Sequence, residues 1–314
     1  MDDWPELPAS RQWSSDRLSI LAGELSKGGS TSFMIVEGGE VAFTWGDIAH
    51  KSSVASVRKS LIGLLYGVYA SEGLIDLDAT LGDLGVDDHS PLTDIEKSAT
   101  VRDLLASRSG VYHPSVYDIA HGRPARGRYP PGSVWFYNNW DFNALGTIFE
   151  LQTGESLLAA FASRIAEPLG MQDFVLSDLR YEQGPESRHP VYKMRFSARD
   201  LARVGLMCLR HGMWGNERIV PEDWLRESLT PHSDLGGGRG YGYLWWTAEA
   251  NAPGDMLHAD VPIYYASGLG GQKIIVLPDH DVVVVHRAAR VDYGIRHDRM
   301  GELLRLALSA KPRD

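Results

Sequence analysis

The stretch SVRKSLIGLLYG, residues 56 to 67, combines a helical hydrophobic pattern with two polar residues near its start. Apolar residues recur at the i, i+3, i+4 and i+7 spacing of one helix face, at Leu61, Leu64, Leu65 and Val68. This spacing predicts an amphipathic helix that buries one face. Ser56 opens the helix and Lys59 follows one turn later on nearly the same side, a placement that the apolar pattern does not explain.

A serine and a lysine one helical turn apart can form a nucleophile and its base. The hydroxyl becomes reactive when a neighbouring base removes its proton, and a lysine can do this when burial lowers its pKa toward neutrality. The N-terminus of a helix adds free N–H groups and a partial positive charge, both of which stabilise an oxyanion. Alternatively, Ser56 caps the helix and Lys59 is solvated, because the S-x-x-K pattern is short and common.

Two later segments could complete such a site. In PPGSVWFYNNWDFNALG, Tyr137 and Asn139 stand just before a predicted helix, where a phenol could relay a proton and a carboxamide could hold a carbonyl. In YYASGLGGQ, a predicted strand ends at Ser267, Gly268 and Leu269, where backbone N–H groups could lie beside a substrate. Taken alone, such a tyrosine is more often a packed aromatic, and most such turns are plain hairpins.

The order of elements predicts an α/β (α+β) fold. The run SFMIVEGGEVAFTWG, residues 32 to 46, is typical of a hairpin around Gly38 and Gly39. Helical patterns dominate the middle of the chain, and strand patterns return from about Gly236 before a last helix. We therefore expect an antiparallel sheet built from both termini and flanked by helices. Its discontinuous domain would comprise residues 1–75 and 236–314, with an inserted, mostly helical domain at 76–235 and the site between them.

Composition and charge exclude several classes of partner. The 314-residue chain is 43% hydrophobic, enough for a sizeable core, and its formal charge of −10 comes without a basic run, so neither nucleic acid nor a membrane is expected as a partner. The N-terminus lacks the features of a secretory signal, and no apolar run approaches the ~20 residues of a membrane span. A cytoplasmic location is expected.

No metal or cofactor site is predicted. The single cysteine, Cys208, cannot form an intrachain disulfide or a multi-thiolate site, and it is interpreted as a buried small hydrophobe. H-E-x-x-H and cysteine–histidine spacings are missing from the sequence. Surface or packed positions are therefore expected for His113, His121, His286 and His297.

Taken in order, the three motifs resemble those of the serine β-lactamase-like superfamily. The similar branch comprises class C β-lactamases, penicillin-binding proteins, β-lactamase-related esterases and hydrolases of 6-aminohexanoate oligomers. S-x-x-K runs from Ser56 to Lys59, Y-x-N from Tyr137 to Asn139, and the K-T-G position is Ala266 to Gly268. LLASRSGV, SARDLARVG and GYGYLWW are also similar to segments of that branch, so the resemblance spans about residues 30 to 290. It implies a β-lactamase/transpeptidase-like fold.

The resemblance implies acyl transfer to water in two steps, without a cofactor. Ser56 would be the nucleophile, Lys59 its base and Tyr137 the group that passes the proton to the leaving group. Backbone N–H groups of Ser56 and Leu269 would form the oxyanion hole. Asn139 would orient Lys59 and the amide of the acyl group. Further substrate contacts are expected from Ser267 and Gly268, from Tyr112 or Tyr117 in the 111–131 loop, and from Trp245. Trp245 belongs to a set of tryptophans near the motifs that either line an apolar acyl pocket or pack in the core: Trp135, Trp140, Trp245 and Trp246.

One departure from the family pattern narrows the expected activity. Enzymes acting on penicillins or cell-wall peptides usually carry lysine or histidine where this chain has Ala266, so the cation that pairs with a substrate carboxylate is missing. We therefore expect a serine hydrolase that cleaves small carboxylic esters or small linear amides. A β-lactamase or D-Ala-D-Ala carboxypeptidase that uses Arg239 or Lys273 instead is the first alternative. A non-catalytic binding module on the same fold is the second.

Overall fold

The computed structural model describes residues 4–118, 122–289 and 294–312, so the prediction for His121 lies outside the described residues. The α-helices are α1 (Ser15–Leu25), α2 (Val57–Ser71), α3 (Asp94–Lys97), α4 (Val101–Leu105), α5 (Asn139–Thr153), α6 (Leu157–Phe161), α7 (Ala198–Leu209), α8 (Glu222–Leu229) and α9 (His297–Ser309). The strands are β1 (Ser30–Glu37), β2 (Glu40–Gly46), β3 (Ser52–Ser53), β4 (Leu179–Glu182), β5 (Val191–Phe196), β6 (Met213–Trp214), β7 (Glu217–Arg218), β8 (Ser233–Gly236), β9 (Arg239–Tyr241), β10 (Trp246–Ala248), β11 (Ile263–Gly268), β12 (Gln272–Leu277) and β13 (Val282–Ala288).

An antiparallel sheet forms the centre of the molecule. Its strand order in the described residues is β2-β1-β13-β12-β11-β10-β9-β8. The N-terminal strand β1 pairs with the C-terminal strand β13, with Ile35 opposite Val284. The predicted hairpin is confirmed, because β1 and β2 pair around Gly38 and Gly39, whose φ angles of 64° and 90° suit glycine. The predicted sheet built from both termini is therefore confirmed as well.

Helices bury both faces of this sheet. Along β1, Phe33 and Ile35 belong to one core with α1 and α9, whereas Met34 and Val36 belong to a second core with α2 and α7. This alternation follows from the pleat of a strand, which sends successive side chains to opposite faces. Burial of apolar side chains on both faces of the sheet therefore stabilises the folded state.

The helix α2 lies between the second face of the sheet and the rest of the helical layer. Every residue from Val57 to Tyr69 is buried, so the prediction of an amphipathic helix with one buried face is wrong. Close packing requires small residues on the other side: a Cβ at Gly67 would lie 2.1 Å from the ring of Trp224. The i, i+3, i+4 pattern marked one apolar face, while Ile62, Tyr66 and Tyr69 fill the other.

Strands of the central sheet come from residues 30–46 and 233–288, and the residues between them supply most of the helices and two small sheets. One small sheet has the strand order β3-β5-β4, and its strand β3 comes immediately before α2 along the chain. The predicted domain bounds at 75/76 and 235/236 stay a prediction. Within the described ranges, none of the helices has the length and apolar character that a membrane crossing requires.

Candidate active site

Ser56 stands at a sharp turn between β3 and α2. The preceding Ala55 has a φ of 48°, a left-handed conformation that residues with a Cβ rarely adopt. Val54 on the other side of this turn is tied to β5 by its N–H, which donates to the carbonyl of Met194. Ser56 is the N-cap residue of α2, yet its side chain makes no capping hydrogen bond. The capping alternative therefore fails, and the hydroxyl is free to face other groups.

Lys59 gathers the polar groups of the first two motifs around its amine. Its Nζ lies 3.1 Å from Ser56 Oγ, 2.7 Å from Tyr137 Oη and 2.6 Å from Asn139 Oδ1. The residue is only 1% exposed, so the alternative of a solvated lysine is wrong. The rings of Tyr137 and Phe142 each lie 4.2 Å from Nζ, measured to the ring centroid.

Burial sets the protonation of this cluster. It lowers the pKa of Lys59 well below the ordinary lysine range, and the nearby positive charge of Arg58 lowers it further. Burial also raises the pKa of Tyr137, although the Ser56 hydroxyl and Arg58 partly offset the shift. A neutral amine has two N–H donors, which match Asn139 Oδ1 and Tyr137 Oη, and one lone pair, which can accept the proton of Ser56.

Buried hydrogen bonds position the turn that carries Tyr137 and Asn139. Asn138 caps α5 by accepting from the N–H of Trp140, and its own amide donates to the carbonyl of Val111 and to Asp141 Oδ1. Asp141 Oδ1 also accepts from Ser109 Oγ at 2.5 Å, and burial raises the pKa of Asp141 well above its usual range. The sequence reasoning missed these supporting residues, although the Asn138 N-cap is a signal that could have found them.

The end of β11 packs directly against the turn at Ser56. A Cβ at Gly268 would lie 2.4 Å from the carbonyl oxygen of Val54 and 3.2 Å from Ala55 Cβ, so only glycine fits here. Within the described ranges, the backbone N–H groups of Ser56 and Leu269 donate to no other group. Two free N–H donors beside the serine are what a developing oxyanion needs.

A second lysine stands next to the third motif. Lys273 on β12 pairs in register with Ser267, and its Nζ lies 2.5 Å from Ser267 Oγ and 2.9 Å from Nε2 of His297. Burial lowers the pKa of Lys273 to about 7, and the Asp255 carboxylate partly offsets the shift. Arg239 aligns instead with Ile263 through β10, at the far end of β11. Lys273 is therefore the better placed of the two predicted replacement cations.

Two predicted substrate contacts are absent from the cleft. Tyr112 is 4% exposed, with its ring packed edge-on against Phe136, and Trp245 is fully buried against Tyr264. The predictions for Tyr112 and Trp245 are wrong because their side chains point into the core. The next residue, Trp246, is half-buried and stacks on the ring of Tyr137 with 5.5 Å between centroids.

The other predicted tryptophans and histidines also differ in how deeply their side chains are buried. Trp135 is half-buried and packs on Trp246, while Trp140 is fully buried and donates to Asp88. His113 and His286 are buried, as the interpretation of packed histidines expects. Trp135 and Trp246 are thus the members of the predicted tryptophan set that reach the rim of the site.

Comparisons with known proteins identify a matching family and proteins of similar sequence and fold. A family described as "Beta-lactamase" has a sequence model that matches residues 24–307. An uncharacterized protein from Alkalihalophilus pseudofirmus is 22% identical over 252 residues, which are 74% of this chain and 71% of that protein.

Solved structures extend the likeness. A candidate 6-aminohexanoate-dimer hydrolase from Bacillus anthracis superposes with a TM-score of 0.70 at 18% identity, covering 98% of this chain and 86% of that one. The octameric penicillin-binding protein homologue from Pyrococcus abyssi superposes with a TM-score of 0.68 at 20% identity, covering 94% of this chain and 76% of that one. A β-lactamase from Mycobacterium bovis superposes with a TM-score of 0.66 at 22% identity, covering 93% of this chain and 98% of that one. At such identities the likeness is one of fold.

Proposed function

The chain belongs to the beta-lactamase family, and from that premise we propose that it hydrolyses small carboxylic esters or linear amides through an acyl-enzyme on Ser56. Membership supports hydrolase activity in general, and the predicted family and β-lactamase/transpeptidase-like fold are confirmed. One observation carries the finer proposal: Ser56 Oγ, Tyr137 Oη and Asn139 Oδ1 all lie within 3.1 Å of the buried amine of Lys59.

The proposed reaction has two halves. Lys59 takes the proton of Ser56 while Oγ attacks the substrate carbonyl, and the N–H groups of Ser56 and Leu269 stabilise the oxyanion. Tyr137 then gives its proton to the leaving oxygen or nitrogen, so the scissile bond breaks and the acyl group stays on Ser56. Tyr137 recovers a proton from Lys59. In the second half, water gives a proton to the same pair and attacks the acyl carbon. The pair then returns that proton to Ser56 Oγ as its bond to the acyl carbon breaks, which releases the acid and restores Ser56.

Esters are the better supported substrates within this class. Ala266 presents a methyl group where a cation would pair with a carboxylate, and its side chain is fully buried. An ester also has a good leaving group, so it demands less of the proton relay through Tyr137 than an amide does. The aromatic rim of Trp135 and Trp246 suits an apolar substrate.

Intact-mass analysis after fluorophosphonate treatment tests the proposal, because such reagents label activated serines. Wild type, Ser56→Ala and Ser71→Ala form the matched set, since Ser71 lies at the other end of the same helix. We expect one adduct on wild type and on Ser71→Ala and none on Ser56→Ala, together with loss of p-nitrophenyl acetate turnover in Ser56→Ala alone. A folded wild-type protein without an adduct refutes the proposal and favours the binding-module alternative.

A β-lactamase or carboxypeptidase activity is a second candidate, favoured by the position of Lys273. Its amine touches Ser267 Oγ and could bind a substrate carboxylate through that hydroxyl. Since the pKa of Lys273 is about 7, the amine is charged below that pH and neutral above it, so KM for an anionic substrate would rise above pH 7. Turnover of a chromogenic cephalosporin that is lost in Lys273→Met supports the β-lactamase activity, and release of D-alanine from a D-Ala-D-Ala peptide tests the carboxypeptidase. Absence of turnover of both substrates excludes this candidate.

A further inference from the structure

The side-chain amide of Asn139 is already engaged at both ends. Its Oδ1 faces Lys59 Nζ at 2.6 Å, and its Nδ2 lies 2.5 Å from the backbone carbonyl oxygen of Tyr117. The two partners dictate this orientation, because the lysine N–H groups can donate to Oδ1 and a carbonyl can only accept from Nδ2. Asn139 is 7% exposed and Tyr117 holds one of the two N–H donors of Nδ2, so a substrate amide carbonyl finds at most one N–H of a nearly buried group.

Contacts on the opposite side of Tyr117 hold it in place. Its hydroxyl donates to the carboxylate of Glu182 on β4, which pairs with Lys193 on β5. Lys193 Nζ also lies 5.0 Å from the centroid of the Tyr117 ring, within cation–π range. Since β5 pairs with β3, immediately before Ser56, Tyr117 spans from Asn139 to the strand that borders the nucleophile turn.

Two further features distinguish Tyr117 from a packing residue. Its φ is 60°, a strained value for an aromatic residue. Strained backbone conformations cluster at functional sites, where surrounding contacts hold them in place. Its side chain is 53% exposed, as is 66% of Leu269, which follows the glycine packed on the Ser56 turn. Both exposed side chains belong to segments that border the site, Tyr117 through its bond to Asn139 and Leu269 next to the glycine packed on the Ser56 turn, and both can contact an apolar acyl group.

We propose that Tyr117 determines acyl specificity: its carbonyl takes the place of a substrate amide on Asn139, and its ring limits the length of the acyl chain. The substrate class is therefore esters of short, apolar acids that carry no amide beside the scissile carbonyl. This inference rests on the proposed Ser56 hydrolase and deepens it. It differs from the expectation that Asn139 orients the amide of an acyl group, because the chain itself supplies one acceptor for that side chain.

Matched esters test the amide half of the proposal. The p-nitrophenyl esters of pentanoic acid and of N-acetylglycine have acyl groups of similar length, and only the second carries an amide. After division by the alkaline hydrolysis rate of each ester, we expect wild-type kcat/KM to favour pentanoate by about tenfold or more, the scale on which a pocket rejects a misfitting group. Equal values for the two esters would overturn the proposal.

Variants of Tyr117 test the ring. Tyr117→Asn removes the ring but tolerates the left-handed φ, and Tyr117→Gly serves if the first variant does not fold. We expect the octanoate-to-acetate ratio of kcat/KM to rise about tenfold. The ratio of N-acetylglycinate to pentanoate should stay as in wild type, because the variant keeps the backbone carbonyl at position 117. The control is Tyr181→Phe, which also deletes a tyrosine hydroxyl that donates to a glutamate, Glu150, and should leave both ratios unchanged.

Fluorophosphonates with ethyl and octyl chains separate the two possible failures. An adduct on Ser56 that forms equally fast with both reagents, in wild type and in Tyr117→Asn, overturns the specificity role and leaves the proposed hydrolase standing. No adduct with either reagent overturns both. Faster ethyl labelling of wild type, with the octyl rate rescued in Tyr117→Asn, supports both.

Discussion

Replacing Gly268 by alanine tests how tightly the end of β11 is seated against the nucleophile. The added Cβ would stand 2.4 Å from the carbonyl oxygen of Val54, where contacts under 3.0 Å essentially never occur. Backbone on one or both sides must therefore retreat by roughly 0.6 Å or more, and a misplacement near 1 Å can cost about 10²-fold in rate. The retreat carries the N–H of Leu269 away from Ser56, so we expect kcat for p-nitrophenyl acetate to fall by about that factor.

The same clash has a cost in stability. Overpacking of this kind lowers the free energy of unfolding by about 1–3 kcal/mol, which thermal or urea unfolding can measure. Gly23→Ala is the matched control, because a Cβ there meets nothing within 4 Å and the residue lies in α1. We expect the control to keep full activity and to gain up to about 1 kcal/mol from helix propensity. If Gly268→Ala keeps kcat within a factor of about three, the Leu269 N–H is not part of the oxyanion hole.

Three further predictions concern buried groups. Lys59→Met keeps an apolar stem but removes the base, so kcat should fall about 10²–10⁴-fold in a protein whose circular dichroism is unchanged. Because the free amine is the active form, wild-type kcat/KM should fall as pH drops through the lowered pKa of Lys59. A flat pH profile would contradict the role of Lys59 as the base. Asp141→Asn can still accept from Ser109 and Asn138. Because the pKa of Asp141 is raised in the folded protein, its contribution to stability is fully present below the ordinary aspartate pKa and is lost as pH rises through the raised pKa. Tm measured across pH should therefore show this fall in wild type and lack it in the variant. Tyr112→Phe removes a buried hydroxyl without a partner in the described structure, so Tm should stay level or rise and kcat/KM should not change; a selective loss of activity would restore Tyr112 to the cleft.

Local patterns in the sequence determined a large part of this structure. The hairpin around Gly38 and Gly39 follows from alternating apolar residues and a two-glycine turn, both readable over a few residues. Ser56 and Lys59 share one side of α2 because three positions of an α-helix bring side chains to nearly the same face. Motif order then led to the family, and the pairing of β1 with β13 follows from strands predicted at both ends of the chain.

Only the tertiary structure decided which side chains reach the cleft. Trp245 and Trp246 are adjacent and chemically identical, yet strand pairing sends one into the core and the other onto Tyr137. Lys273 reaches Ser267 because β11 and β12 pair in that register, which no local pattern specifies. The carbonyl of Tyr117 reaches Asn139 across 22 residues of chain. Such contacts depend on register, loop path and burial, which arise from long-range packing, whereas sequence periodicity reports only the local backbone.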